Sequence, residues 1–334
     1  MVITLSTLWL ASCEPIEIDA DLPDRDGLVT ITGLFSADSA WHIDITSSKS
    51  ILNSKVEYGI FDTDITPITN AQVIIREDGQ SVESLVYTKG NYNTDYGTYL
   101  SPDPGKRPIP GKTYDIQVTV PGIGTSSAKS FIPTPVRLRD VAAETSLTTV
   151  STKVISGTFK DPLYLRAVPA EITIDDPAGD NYYEVIVRYE ADAGTPPPFN
   201  RISGTPVFTK DLRFHNTGLT PGSGKIIPGQ NDLSYSVIFH DTDAEAKQLK
   251  VPIMMPVVTT FGNDGREQLR TDIHYIVILR TLSHEYFQYK ASQELQAYSY
   301  DDPFAQPVVV YNNVEGGIGI FAAYSEDAVE VILK

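Results

Sequence analysis

Apolar and polar residues alternate with period two along much of this chain. "GLVTITG" from Gly27 and "WHIDIT" from Trp41 place every second side chain on one face, as a sheet with one wet side requires. "NAQVIIREDGQ" predicts a strand from Ala71 to Arg76 that ends in the turn dipeptide Asp78-Gly79. A segment rich in Gly, Asn and Tyr follows, "GNYNTDYGTYL", and then "PGKTYDIQVTV", where Tyr114, Ile116, Val118 and Val120 share a face. "AKSFIP" closes a set of short strands within about 110 residues, the pattern of an immunoglobulin-like or transthyretin-like sandwich. Pro133 and Pro135 lack amide donors and discourage further pairing, so a boundary falls there.

The second half carries further strand patterns: "STKVISGTF", "AEITID", "NYYEVIVRYE", "DLSYSVIFH", "KQLKVPIMM" and "DIHYIVILRTL". Residues 276 to 279 are apolar in succession, which predicts a strand covered on both faces. Between Ala191 and Gly229 lies a Gly, Pro and Asn-rich stretch too long for a tight turn. One amphipathic helix is expected near residues 283–299, with Ser283 as its N-cap and Phe287, Ala291, Leu295 and Tyr298 as its apolar stripe, ended by Asp301-Asp302-Pro303. "PVVVYNNVEGGIGIFAAYS" and "AVEVILK" read as closing strands around a Gly316-Gly317 turn or bulge. The expectation is an all-β protein of two β-sandwich-like domains, 27–135 and 136–334, the second β-rich domain carrying the helix.

Composition agrees. The chain has 23 Pro, 23 Gly and 18 Tyr against 3 Met, which favours turns and strands, and 334 residues suffice for two cores. A formal net charge of −17 argues against nucleic acid as a partner, because phosphate attraction needs a basic surface.

The single cysteine changes the picture. Residues 1–12, MVITLSTLWLAS, form an apolar run too short to span a bilayer and of a length that suits a lipoprotein signal peptide. Leu10, Ala11, Ser12 and Cys13 match the lipobox of bacterial lipoprotein precursors, where the sulfur takes a diacylglycerol and the cysteine becomes the mature N-terminus. No Lys or Arg precedes Cys13, a departure from the positively charged start of such leaders. Each buried methylene contributes about 0.8 kcal/mol, so two or three acyl chains hold a protein permanently. Cys13 is therefore the expected lipidation site and the membrane the expected partner. Residues 13–26 then form an acidic tether, with Glu14, Glu17, Asp19, Asp21, Asp24 and Asp26. An acidic stretch behind a lipidated cysteine is an export signature in some Gram-negative phyla, so outward display on the outer membrane is expected.

No catalytic signature is present. Histidines 42, 215, 240, 274 and 284 lack metal-ligand spacing, and the zinc-protease pattern that His284-Glu285 begins fails at Gln288. A nucleophile elbow and a phosphate-cradling loop are both missing from the sequence. Acid pairs at Asp62/Asp64, Asp175/Asp176, Asp241/Asp243 and Asp301/Asp302 have the chemistry of calcium ligands or glycosidase carboxylates, but turn chemistry accounts for them in so acidic a chain. Tyr92, Tyr96, Tyr99 and Phe199 are aromatics suited to stacking on sugars or peptides, or to ordinary packing. No catalytic residue, cofactor or metal is assigned.

Four segments together resemble one family, the Bacteroidetes lipoproteins classed as domain of unknown function 4249. They are the lipobox, "ITNAQVIIREDG" at 68–79, "DPAGDNYYEVIV" at 176–187 and "DDPFAQPVVVYNNVEGGIGIFAAY" at 301–324, the last being the most specific. The resemblance implies an outer-membrane lipoprotein with an N-terminal carboxypeptidase-regulatory-like sandwich, encoded beside TonB-dependent receptors. It leads to a non-catalytic surface accessory of a TonB-dependent transporter, acting in substrate capture or gating. The alternatives are a structural adhesin or fimbrial-type subunit, and a glycan or peptide hydrolase.

Overall fold

The computed structural model describes residues 27–49, 56–57, 60–61, 66–90, 97–144, 148–152, 163–190, 203–205, 215–217, 236–242, 245–256, 259–261, 267–269, 274–300 and 308–332. Among the described residues the chain is all-β with one helix, as its patterning predicts.

The first module is a sandwich of β1 (Val29–Ser36), β2 (His42–Ser47), β3 (Gln72–Glu77), β4 (Gln80–Thr88), β5 (Thr98–Leu100), β6 (Thr113–Val120) and β7 (Gly124–Phe131). Asp78 and Gly79 both have positive φ, 51° and 79°, so β3 and β4 turn tightly as their dipeptide predicts. β4 serves both layers: Gln80 to Leu85 pair with β3, and Val86 to Thr88 pair with β5. Inward positions carry the core, including Ile31, Ile43, Ile75, Ile116 and Val118 at 0 to 1 % exposure. At its centre Phe35 lies 4.9 Å from Trp41 and 4.7 Å from Phe321, ring centre to ring centre. Tyr99 belongs to this core and not to a sugar-stacking surface. It is 2 % exposed; its hydroxyl donates to the Ile68 carbonyl at 2.8 Å and accepts the Ala71 amide at 2.9 Å.

The core changes between Ile132 and Val136, across the predicted boundary prolines. The second module places β8 (Leu138–Ala143), β9 (Thr148–Thr152) and β13 (Lys247–Pro256) alongside the 14-residue β10 (Leu163–Asp176). Facing it are β11 (Asn181–Glu190), β12 (Ser236–Asp241) and β14 (His274–Leu282). Ile172, Ile174, Val251 and Ile253 from one layer meet Tyr183, Val185, Val187, Val237, Phe239, Val277 and Leu279 from the other. Most of the 191–229 stretch lies outside the described residues.

The opposite face of β11, β12 and β14 is covered by α1 (His284–Tyr300). Ser283 caps it: the Tyr286 amide donates to the Ser283 hydroxyl oxygen at 3.3 Å. The predicted stripe holds at Phe287, which is buried beside Tyr286, and at Ala291, which packs at the edge, but Leu295 is 57 % exposed; the Tyr298 side chain lies outside the described residues.

The C-terminal segment corrects a second expectation. Residues 308–314 form no strand, Val309 being 81 % exposed, and the two predicted closing strands are one, β15 (Ile318–Ile332). Its first half pairs in parallel with β1, from Thr30↔Ile318 to Ser36↔Tyr324, and its second half pairs antiparallel with β14, from Leu282↔Tyr324 to His274↔Ile332. Phe321 and Ala323 enter the first core, while Val329 and Val331 pack on the second. The glycine pattern makes the parallel pairing possible. Gly319 holds φ of 120°, and a Cβ there would overlap the Ile31 carbonyl. Asn313 fastens the entry, accepting the Phe321 amide at 3.0 Å and donating to the Phe321 carbonyl at 2.8 Å.

Candidate functional site

Cys13 and the 13–26 tether lie outside the described residues, as do Asp62, Asp64, Asp243, Asp301, Asp302, Tyr92, Tyr96 and Phe199. Among the described residues, no three His, Cys, Asp or Glu side chains gather as metal ligands would. The described histidines separate. His42 Nε2 lies 3.5 Å from Asp44, and His240 and His284 flank the Tyr182 ring at 6.1 and 5.4 Å.

Asp175/Asp176, the acid pair that lies wholly within the described residues, comes apart, and Asp176 meets Asp241 instead. Asp175 points outward to Arg139, which donates Nε at 2.7 Å and Nη2 at 2.8 Å to its two oxygens. Alternation along β10 sends Asp176 inward. There it is 2 % exposed, accepts the Tyr183 hydroxyl at 2.5 Å and meets the Asp241 carboxyl across the gap between the layers. Lys247 lies 2.9 Å from Asp241. Burial, and then hydrogen bonding with Asp241, push the Asp176 carboxyl up to about 6, against the opposing pull of Tyr183.

On the helix side of β11 lies a charged network. Glu184 is wholly buried and receives Lys290 Nζ from α1 and Arg280 Nη1 at 3.3 Å from β14. Arg280 also donates Nε to Glu326 at 2.7 Å, and its guanidinium sits 4.4 Å above the Tyr324 ring. Burial raises the Glu184 carboxyl, but the charges of Lys290 and then Arg280 outweigh it and hold the group below the ordinary range. The network is balanced, two acids against two bases, and ties the helix to the sheet.

Among the described residues, recesses open on the outside on each module. One, of about 480 Å³, lies on β1 and β2 of the first module and is lined by Thr32, Leu34, Ser39, Trp41, His42, Asp44 and Ser101 among others. Its volume suits a small ligand, and its rim offers an imidazole, a carboxylate and hydroxyls. Burial raises Asp44, but hydrogen bonds from His42 and Thr98 win and keep its carboxyl low. The other, of about 620 Å³, lies over β10 and β13, where Pro169, Pro252 and Met254 give an apolar floor and Glu144 and Glu171 an acidic rim. Sequence reasoning missed both, since the first joins the β1–β2 hairpin to Leu100, Ser101 and Pro104, and the second joins β10 to β13, far apart in the chain.

A family model described as Domain of unknown function (DUF4249) matches residues 16–329, and the chain belongs to that family. No curated protein matches it.

Proposed function

We propose that this chain is a lipid-anchored, non-catalytic lipoprotein of the outer membrane, displayed at the cell surface, where it serves as accessory to a TonB-dependent transporter in substrate capture or gating. One observation carries the reading: the lone cysteine, at position 13, stands behind a short apolar run and before six acids, and β1 begins at Val29. Lipid on Cys13 places the first module next to the membrane, because the intervening residues reach at most about 50 Å when fully extended. None of the described residues forms a helix long and apolar enough to cross a bilayer, which is compatible with attachment through acyl chains. The transporter as partner rests on what the family resemblance implies, genes of such lipoproteins standing beside those of TonB-dependent receptors.

Substrate capture falls to the recess beside Trp41, whose His42, Asp44, Ser39 and Ser101 fit a small polar ligand. Copurification from detergent extracts of the native membrane tests the partnership. A TonB-dependent barrel retained with the chain supports it, and its absence after cross-linking contradicts it. Protease shaving of intact cells tests the orientation, with cleavage expected and full protection excluding surface display.

A further inference from the structure

Both described chain crossings between the layers of the second module lie at one end of it. β10 leaves its sheet at Asp176 and reaches β11 through residues 177–180, while β12 leaves the facing sheet at Asp241 and the chain re-enters at Lys247. Register sets Asp176 beside Lys247 in one layer and Asn181 beside Asp241 in the other. Three charged groups, with Tyr183 behind them, thus converge where the layers are joined.

Among the described residues the charges do not balance. Asp176 Oδ1 accepts the Tyr183 hydroxyl, and Oδ2 meets no donor among the described residues; its neighbour is the Asp241 carboxyl, itself an acceptor when ionised. Lys247 supplies one positive charge, to Asp241, at 2.9 and 3.0 Å to its two oxygens. Two carboxylates against one ammonium leave a net negative charge at a site where Asp176 is 2 % exposed. One added proton makes the cluster neutral and turns the acceptor–acceptor contact into a hydrogen bond.

We propose that Asp176 and Asp241 share a single proton that clasps the two layers of the second module at their crossings, and that the clasp loosens as this proton leaves to solvent with rising pH. Among the described residues, the charged and titratable groups facing Asp176 are Tyr183 on β11, Asp241 on β12 and Lys247 on β13. Tyr183 stays a donor, its hydroxyl raised by burial and by Asp176. A proton site was unreadable from the sequence, where Asp176 and Asp241 stand 65 positions apart (241 − 176).

The sign follows from linkage. Asp176 binds its proton more tightly folded than unfolded, so its stabilising effect is complete below the ordinary carboxyl value of 3.8 and is lost as pH rises through about 6. Within that window the folding equilibrium constant falls by up to about tenfold per pH unit from this site.

Thermal melting of the full chain in detergent micelles, from pH 4 to 7.5, provides the test. The difference between wild type and Asp176→Asn, whose amide can donate to Asp241 at every pH, is expected to change in a step ending near pH 6 and to stay flat above it. Equal pH profiles in the two proteins would overturn the proposal. Tyr183→Phe removes a hydrogen bond that favours the ionised carboxylate, so the wild-type step should move to higher pH. An unmoved step would also overturn it, and this variant decides the matter should Asp176→Asn not fold.

Discussion

Glu184→Gln removes one charge from a site where little else can compensate. The carboxylate is wholly buried, and its partners Arg280 and Lys290 are 14 and 16 % exposed at their side chains. After substitution Glu326 still neutralises Arg280 at 2.7 Å, but Lys290 loses its carboxylate and keeps neutral neighbours, the Ser236 hydroxyl at 3.4 Å and the Tyr286 ring at 5.8 Å. Breaking one partner out of a buried pair leaves an uncompensated charge, a loss of about 3–5 kcal/mol. The glutamine oxygen still accepts one hydrogen bond, and Lys290 has some access to water, so the expected loss lies at the lower end, about 3 kcal/mol at pH 7. Thermal and urea melts of the full chain would measure it, with a fall in melting temperature of roughly 6 °C or more. The pH dependence has a definite sign. Glu184 is held below its ordinary value, so its contribution is present above about 4.5 and is lost as pH falls through the folded value; acid should narrow the gap between the two proteins. Lys290→Met added to Glu184→Gln should recover part of the loss, because it removes the stranded charge. A loss below about 1 kcal/mol at pH 7, or no recovery in the double variant, would refute the reasoning.

Gly319→Ala demands positive φ of a residue with a Cβ and drives that carbon into the Ile31 carbonyl, so it should cost at least about 2 kcal/mol and raise amide exchange along β1. Gly27→Ala, also at positive φ but with open space around its Cβ, controls for backbone strain alone and should cost less by thermal melting. Tyr99→Phe leaves the Ile68 carbonyl and Ala71 amide without the hydroxyl and should cost about 1–3 kcal/mol in urea denaturation. His42→Ala and Asp44→Ala together should weaken uptake of the transporter's substrate in cells while lowering the melting temperature only slightly, since the side chains are 62 and 48 % exposed and the hydrogen bonds lost at Asp44 are partly solvated.

Local pattern was enough for most of the strands. The alternation of Tyr114, Ile116, Val118 and Val120 is the inward face of β6, and Val277 to Leu279 are buried as their apolar succession implies. The Asp78-Gly79 turn and the Ser283 cap were also readable, because each rests on the conformational preference of one or two residues. What failed was information that only distant pairing supplies. Helical spacing put Leu295 in the stripe, yet whether a helical face is covered depends on where the sheet beneath it ends. Tyr99 looked like an exposed aromatic in a Gly and Asn-rich segment until β5 was placed between β2 and β4. Gly316 and Gly317 lie in a turn, as expected; the sequence did not show that a Cβ at Gly316 would meet the Thr125 carbonyl of β7 and one at Gly317 the Val29 carbonyl of β1, almost 300 residues away. Adjacency in sequence says little about Asp175 and Asp176 for a related reason, since alternation throws them to opposite faces.

Intact mass spectrometry of the native protein's N-terminal peptide tests the central claim most directly. The account predicts a mature chain that begins at Cys13 and carries diacylglycerol on its sulfur, with loss of the modification and release from the envelope in Cys13→Ser. A free thiol at Cys13 in envelope-bound protein, or a Cys13→Ser variant that stays lodged in the membrane, would contradict it.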